Sequence, residues 1–256
     1  MSVQACAELV AKGDPDRFRA TMAAPLDARR VLFPLYAFNI EVSRAPWVTA
    51  EPGIAEMRLQ FWRDVVEELA AGKPPRAHEV AAPLADAVPQ DLVGKLDALV
   101  EARRWDIYSE PFEDRAGFDS YLDATAATLP VVAARALGAP ADAEPVLRDA
   151  GWAFGLAAFL RAVPALQAAG RVPLVDGRPQ AVRDLAGEGL ERLARAQAGR
   201  SAVPASAAPA LYAGWRAEGA LRAARDTPDR VIDGALDGSE GMARLRLMWV
   251  AATGRW

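Results

Sequence analysis

Two pairs of acidic residues have the spacing that could hold a divalent metal ion. Asp119 and Asp123 are four positions apart, and Asp64 and Glu68 repeat that spacing earlier in the chain. Within a helix such a pair lies on one face, and carboxylate oxygens are the ligands that Mg²⁺ takes in proteins. Ordinary surface acids and capping residues share this spacing, and neither pair has an evident opposing partner. We therefore predict surface or capping roles, with a metal role as the alternative.

The sequence contains few of the residues that nucleophilic catalysis or zinc binding requires. The chain has one histidine, His78, and one cysteine, Cys6, and the two are far apart. A structural zinc site or a Cys-His or Ser-His arrangement is therefore not predicted. We expect Cys6 to be a small apolar residue. His78 follows the Lys73–Pro75 loop and is predicted to lie at a helix start, with a general-base role as the alternative.

Charge and hydropathy exclude two further classes of protein. The formal net charge is -4, and neither sign dominates a long segment, so a nucleic-acid surface is not predicted. The N-terminus lacks a basic segment followed by an apolar run. The longest apolar stretch, residues 150–160, is shorter than the roughly 18 residues that span a bilayer. We expect a cytoplasmic protein without a transmembrane segment, and docking on a membrane complex remains open.

The composition favours helices throughout. The 57 alanines and the scarcity of β-branched residues predict an all-α chain, which we interpret as a single helical bundle over residues 1–256. Asp14 before Pro15 is typical of a helix cap, and Pro34 is expected to kink its helix without ending it. The apolar periodicity and the Gly and Pro breaks predict helices at about 14–23, 26–44, 51–71, 77–88, 91–108, 115–137, 142–163, 180–198 and 208–252.

The segment 51–71 shows the clearest amphipathic pattern and ends at Gly72. Its predicted buried face consists of Ile54, Met57, Phe61, Val65 and Leu69. The aromatic pair Phe61-Trp62 is interpreted mainly as core, with a docking role for Trp62 as the alternative.

Four strings of residues carry a resemblance to a known family. They are Leu35-Tyr36-Ala37-Phe38-Asn39, Met57-Arg58-Leu59-Gln60-Phe61-Trp62-Arg63, Gly151-Trp152-Ala153 leading to Leu160-Arg161-Ala162-Val163-Pro164, and Gly170-Arg171-Val172-Pro173-Leu174. In this order and spacing they resemble the squalene/phytoene synthase family over about residues 14–176. The resemblance implies the all-helical isoprenoid synthase fold, with helices around an apolar cavity. We interpret the Arg171 string as a signature of that fold.

Active members of that family hold Mg²⁺ and a substrate diphosphate between two aspartate-rich motifs. The positions of this sequence that match the first motif are Ser43, Arg44 and Trp47, and those that match the second are Ala162, Ala165 and Leu166. None is a carboxylate. An arginine in place of a carboxylate turns an attraction of roughly 4 kcal/mol, at 4 Å and an effective dielectric of 20, into a repulsion of similar size. The resemblance therefore implies a pseudoenzyme without metal, cofactor or catalytic residues.

The departures from the family pattern themselves resemble one of its branches. Asn39-Ile40-Glu41-Val42, the Met57–Trp62 string and Leu160-Arg161-Ala162 before Pro164 are similar to the mitochondrial complex I assembly-factor branch and its alphaproteobacterial relatives. The similarity implies a non-catalytic assembly factor or accessory subunit, with respiratory complex I subunits as partners and a peripheral position at the inner membrane through complex I. Tentative anion or partner contacts are Arg44, Arg58, Trp62, Arg63 and Arg161.

Three alternatives stay open at this point. Arg44 and Arg161 could form a metal-free cationic pocket for an anion. Arg58 and Arg63 are interpreted as a solvated face or an internal salt-bridge pair, with a ligand clamp as the alternative. An active Mg²⁺-dependent prenyltransferase would have to use Asp119, Asp123 and other acids. A lipid or quinone-tail binding module would keep the apolar cavity without the charge at its mouth.

Overall fold

The computed structural model describes residues 2–49, 51–108 and 110–256. These residues form helices and turns and contain no β-strand, so the prediction of an all-α chain is confirmed. Short 3₁₀ turns join several of the helices. The α-helices are α1 (Val3–Gly13), α2 (Pro15–Met22), α3 (Leu26–Arg44), α4 (Pro52–Ala70), α5 (Ala81–Ala87), α6 (Gln90–Val93), α7 (Leu96–Ala102), α8 (Trp105–Tyr108), α9 (Arg115–Leu122), α10 (Thr128–Ala136), α11 (Glu144–Ala168), α12 (Pro179–Ala198), α13 (Ala217–Asp226), α14 (Asp229–Ile232) and α15 (Glu240–Thr253).

Local signals fix several of these boundaries. Asp14 caps α2 as predicted, because its Oδ1 accepts a hydrogen bond from the Arg17 amide at 2.9 Å. Gly72 follows α4 with a φ of +72°, the left-handed conformation that commonly ends a helix. Gly170 does the same after α11 with a φ of +78°, and the Arg171 amide bonds back to the Leu166 carbonyl at 3.0 Å. Helix α3 runs continuously through Pro34, as expected.

Two predicted helices are divided, and one was missed. The segment 91–108 contains three short helices, α6 to α8, because Gly94 and the turn at residues 103–104 interrupt it. The segment 208–252 contains a 3₁₀ turn and helices α13 to α15, separated where Pro228 and the left-handed Gly234 cannot continue a helix. Helix α1 was not predicted from the sequence. The single-domain organisation over residues 1–256 stays a prediction.

The long helix α11 organises the packing around the candidate site. It contacts α10, α12 and α13 and the π-helical turn Asp123–Ala127 that joins α9 to α10. This turn is one residue wider than an α-helical turn, since the Thr128 amide bonds to the Asp123 carbonyl. It lies so close to α11 that a Cβ built on Gly151 would stand 2.7 Å from the Ala127 Cα. Only glycine permits that approach.

The buried face of α4 differs from the predicted one. Ile54 and Met57 are 40% and 66% exposed, and Phe61 is half-buried. Val65 and Leu69 are buried as predicted, and the other buried residues of the helix are Ala55, Leu59, Trp62 and Val66. The indole of Trp62 is 3% exposed and meets the Phe38 ring edge-on at 5.3 Å between centroids. Trp62 is therefore core, and the alternative of a partner contact at this residue is wrong.

None of the helices in the described ranges has the length and apolar composition needed to cross a bilayer.

Candidate functional site

The first wall of the candidate site is the end of α3 and the 3₁₀ turn Ala45–Trp47 that follows it. The Ser43 hydroxyl donates to the Ile40 carbonyl at 3.2 Å, so it is used within its own helix. Arg44 is exposed, and Trp47 is 47% exposed. These three residues stand where the resemblance places the first acidic motif, and they offer one hydroxyl, one cation and one indole. Such a set does not fit Mg²⁺, which requires several hard oxygen ligands.

The second wall is the C-terminal part of α11. Ala162 is half-buried, Ala165 is exposed, and Leu166 is 9% exposed in the apolar core. All three side chains are hydrocarbon. At these six positions, therefore, no side chain carries a negative charge that would neutralise a magnesium ion.

Trp47 covers a buried arginine between the two walls. The Arg171 guanidinium lies 4.5 Å from the centroid of the Trp47 ring and 5.5 Å from that of Trp105. Its Nη2 donates to the Asp106 carbonyl, and its Nη1 is buried without a hydrogen-bond partner. Arg171 is 7% exposed, so the two indoles take the place of water around most of this cation.

Arg161, one turn before the end of the second wall, is neutralised by two carboxylates. Its guanidinium lies 3.3 Å from Asp16 Oδ2 and 2.8 Å from Asp237 Oδ1. Asp16 also pairs with Arg216 at 3.0 Å. Arg161 lines the small cavity described below, and Arg44 is exposed at the end of α3. The charge of Arg161 is compensated by its two carboxylates, and an anion pocket formed with Arg44 stays a prediction.

The cavity between α3 and α11 has a volume of about 100 Å³. Its described lining includes Tyr36 on one side and Gly155 and Ala158 on the other. The Tyr36 hydroxyl donates to the Ala210 carbonyl at 3.4 Å, and burial raises its pKa to about 12. Binding sites for drug-sized ligands have volumes of about 300–1,000 Å³. The space left here holds roughly three water molecules and no polyprenyl or quinone tail.

The two acidic pairs with metal-ligand spacing are engaged in salt bridges. Asp119 accepts from Arg115 Nε at 2.8 Å, and Asp123 accepts from Arg148 Nη1 at 2.9 Å. Each aspartate thus shares an arginine with a glutamate, since Arg115 also pairs with Glu188 and Arg148 with Glu144. No group of three or more metal-ligating side chains that could hold an ion is found in residues 2–49, 51–108 and 110–256.

The other acidic pair shares one guanidinium. Arg76 Nε lies 2.8 Å from Glu68 Oε2, and Arg76 Nη2 lies 3.4 Å from Asp64 Oδ2. The hydrogen bonds from Arg76 lower the pKa of the Glu68 carboxyl. This arrangement is an ordinary surface ion pair.

The remaining candidate residues have structural partners. Arg63 bonds Asp97 at 2.8 Å and Glu101 at 2.7 Å, and Arg58 lies 3.8 Å from Glu41, so salt bridges are observed for both arginines. His78 precedes α5, and its Nδ1 accepts from the Val80 amide at 3.2 Å. Cys6 is fully buried, and that burial raises the pKa of its thiol to about 11. Neither residue is placed for general-base or nucleophilic chemistry.

Sequence reasoning missed a buried polar network beside the candidate site. Arg103 Nη1 donates to the Tyr121 hydroxyl at 2.8 Å, and that hydroxyl donates to Asp106 Oδ1 at 3.1 Å. Burial is the main cause that raises the pKa of Tyr121. The signal that could have found the network is Asp106 itself, a carboxylate between Trp105 and Ile107 that is 4% exposed and must be paired.

Comparisons with known proteins agree with this architecture. The family model described as squalene/phytoene synthase matches residues 10–234. A crystal structure of a dehydrosqualene synthase with a bound ligand superimposes with a TM-score of 0.80 at 16% identity, covering 98% of this chain and 95% of that one. A squalene synthase from Alicyclobacillus acidocaldarius superimposes with a TM-score of 0.72 at 15% identity, covering 88% and 93%. The fold is therefore the all-α isoprenoid synthase fold.

Curated relatives carry a different name. The human protein named NADH dehydrogenase (ubiquinone) complex I, assembly factor 6 is 28% identical over 162 residues, which are 62% of this chain and 48% of that protein. Its Drosophila melanogaster homolog is 29% identical over 200 residues, 75% of this chain and 58% of that protein. The chain thus matches about half the length of these relatives.

Proposed function

Because the chain belongs to the squalene/phytoene synthase family, we propose that it is a non-catalytic member that acts in the assembly of respiratory complex I, as an assembly factor or an accessory subunit. The observation that carries the proposal is the side-chain content between α3 and α11. The indole of Trp47 covers Arg171 there, and Arg161 is paired with Asp16 and Asp237. The names of the relatives support complex I as the object of the assembly role.

Charge explains why this interior is unsuited to prenyl transfer. Ionisation of an allylic diphosphate requires cations that neutralise the departing group, and Mg²⁺ requires oxygen ligands to stay bound. Asp16 and Asp237 pair with Arg161, and Asp16 also pairs with Arg216. A diphosphate would have to displace these carboxylates, and the six positions that match the acidic motifs offer no carboxylate to hold Mg²⁺ beside it. No feature of the described residues favours the alternative of an active synthase.

The proposed place of action is the cytoplasmic side of the inner membrane, reached through complex I and without a membrane-spanning helix of the chain itself. The partners are complex I subunits. A lipid or quinone tail in the cavity between α3 and α11 is not part of the proposal, since a volume of about 100 Å³ is too small for it.

The test is affinity purification of the full-length chain, tagged and expressed at its native level, from detergent-solubilised membranes. We expect complex I subunits to be enriched over those of a second respiratory complex. Deletion of the gene should lower the amount of fully assembled complex I on native gels and leave the other complex unchanged. Equal recovery of both complexes, or normal complex I after deletion, would overturn the proposal.

A parallel assay addresses catalysis directly. Purified protein is incubated with Mg²⁺ and polyprenyl diphosphates of several lengths, beside an active family member as positive control. We expect no product, and we expect Asp123→Asn to behave like the unmodified chain because Asp123 pairs with Arg148. Metal-dependent turnover that Asp123→Asn abolishes would instead establish the prenyltransferase alternative.

A further inference from the structure

Helix α15 is apolar on the side that faces solvent. Met242, Leu245, Met248 and Trp249 are 66%, 58%, 67% and 51% exposed. The opposite side of the same helix buries Leu247 and Val250 in the core. A helix that is apolar all round is normally enclosed on all sides. Here the chain covers only one side, so the outer face is left for another molecule.

Three of these residues, Met242, Leu245 and Trp249, border a groove rather than a flat surface. The groove has a volume of about 510 Å³ and runs between α13 and α15, with Trp215, Ala220 and Leu236 among its lining residues. Gly219 lies on its α13 side, and a Cβ built there would meet no atom within 4 Å. A third backbone could therefore approach α13 closely. We call this feature the α13–α15 groove.

Charged groups line the edges of the groove, and they are already paired. Arg246 lies 2.6 Å from Glu218, and Arg244 lies 3.1 Å from Glu240. Asp237 lies 2.8 Å from Arg161. The charged residues that line the groove are Arg216, Arg246 and Asp237, and each of them is paired with an opposite charge.

The pairing of these charges favours a polypeptide over a bilayer. Adsorption of a surface helix to anionic lipid draws on unpaired Lys and Arg residues, whereas both arginines that line the groove are paired. An apolar floor bordered by paired charges matches an uncharged helix face. The exposed residues Met242, Leu245 and Trp249 follow the i, i+3, i+7 spacing of a helix–helix seam. The two methionines are flexible enough to adapt to a partner surface.

We propose that the α13–α15 groove binds an apolar α-helical segment of a complex I subunit. The inference rests on the proposed function for the identity of the partner, and it goes beyond the family match, which ends at residue 234, before α15. The groove thereby supplies a contact surface distinct from the former catalytic interior.

The first test compares two charge substitutions at exposed leucines in the full-length chain. Leu245→Glu places a carboxylate on the groove, and Leu26→Glu is the matched control at the start of α3, where the leucine is 71% exposed. Both variants should unfold at the same temperature as the unmodified chain, because neither leucine is buried. We expect Leu245→Glu to lower complex I recovery by about tenfold or more, as a lost interface anchor does, and Leu26→Glu to leave it unchanged. Met242→Glu, at a groove residue that is 66% exposed, provides a second variant in case Leu245→Glu unfolds.

The second test identifies what occupies the groove. A photo-crosslinking amino acid replaces Leu245, and the products are analysed in intact cells. A crosslink to a complex I subunit supports the proposal. A crosslink only to lipid or only to a second copy of the chain overturns it, as does the absence of any product. The purified chain is also sedimented with phosphatidylcholine–cardiolipin vesicles. If it binds them and Leu245→Glu abolishes that binding, the groove contacts a membrane and the proposal is wrong.

Failure of this inference can be separated from failure of the proposed function. If the unmodified chain recovers complex I and both Leu245→Glu and Met242→Glu recover it equally well, the groove is not the contact and the assembly role stands. If the unmodified chain recovers no complex I, the proposed function itself is wrong.

Discussion

The guanidinium of Arg171 lies 4.5 Å from the centroid of the Trp47 ring, so the turn after α3 contacts the segment that follows α11. Trp47 stands where the resemblance places a metal-binding acid, and Arg171 follows the last turn of α11. An acid at residue 47 would bind a metal cation through its oxygens. The indole instead contacts the cationic side chain of Arg171 through its ring face. This contact joins two segments of the fold.

Removal of this indole should destabilise the protein more than its exposure suggests. We expect Trp47→Ala to lower the free energy of unfolding by about 1–2 kcal/mol, because Arg171 then loses its cation–π contact while it stays buried. Urea denaturation measures the change. Trp249→Ala is the matched control, since Trp249 is 51% exposed against 47% for Trp47 and has no recorded arginine over its ring. Equal losses from the two variants would contradict the role assigned to Arg171.

The packing of α11 against the π-helical turn gives a second prediction. A Cβ at residue 151 would lie 2.6 Å from Pro130 Cγ and 2.7 Å from Ala127 Cα, and the backbone atom cannot rotate away. Gly151→Ala should therefore lower the free energy of unfolding by about 1–3 kcal/mol. Gly187 in α12 is the control, because a Cβ there meets nothing within 4 Å. Gly187→Ala should raise the free energy of unfolding by about 0.5–1 kcal/mol, and thermal unfolding of both variants checks the opposite signs. A shift of the same sign in both would show that the close approach is not limiting.

Features that depend on neighbouring residues were predictable from the sequence. The Asp14 cap, the Gly72 stop and the run of α3 through Pro34 each follow from the chemistry of a few adjacent residues. The resemblance added the order of the helices and the six positions that match the family's acidic motifs. The all-α fold follows from these signals together.

Features that depend on distant residues were not predictable. Arg161 pairs with Asp16, 145 positions away, and nothing in a charge pattern identifies that partner. The predicted buried face of α4 included Ile54 and Met57 in place of Leu59 and Val66, because these four residues are similarly apolar. Periodicity cannot distinguish such neighbours when a helix is apolar on more than one face. The outer face of α15 was missed for the same reason.

The buried network at Tyr121 predicts a stability difference between two hydroxyl deletions. Tyr121→Phe removes the acceptor of Arg103 and a donor to Asp106, both away from water, and should lower the free energy of unfolding by about 1–3 kcal/mol. Tyr108 also donates to a carboxylate, Glu56 Oε1 at 3.0 Å, but it is 54% exposed. Tyr108→Phe should change the free energy of unfolding by less than about 0.5 kcal/mol, since water replaces the lost bond. Chemical denaturation at neutral pH compares the two, and a larger effect at residue 108 would contradict the assignment.

The ion pairs of Glu188 predict how the stability of the fold depends on pH. Its carboxylate bonds both Arg115 and Arg192, whose guanidinium carbons lie 5.8 Å and 4.1 Å from the centroid of the Trp152 ring. Burial acts to raise the pKa of Glu188, but the bonds from the two arginines outweigh it and lower the pKa below its usual value. A carboxyl whose pKa is lower in the folded state stabilises the fold above its unfolded pKa of about 4.3, and that contribution disappears as the pH falls through the folded value.

Glu188→Gln should therefore destabilise the protein by about 0.5–1 kcal/mol at pH 7, a figure limited by the partial exposure of the ion pairs. The difference from the unmodified chain should shrink as the pH drops below about 4, because the native carboxyl then becomes protonated as well. Free energies of unfolding measured at a series of pH values follow this convergence. Glu191→Gln, at an exposed position on the same helix, serves as the control and should run parallel to the unmodified chain. A Glu188→Gln curve that stays parallel to the unmodified chain down to the lowest pH would show that the two arginines do not hold this carboxylate in its charged form.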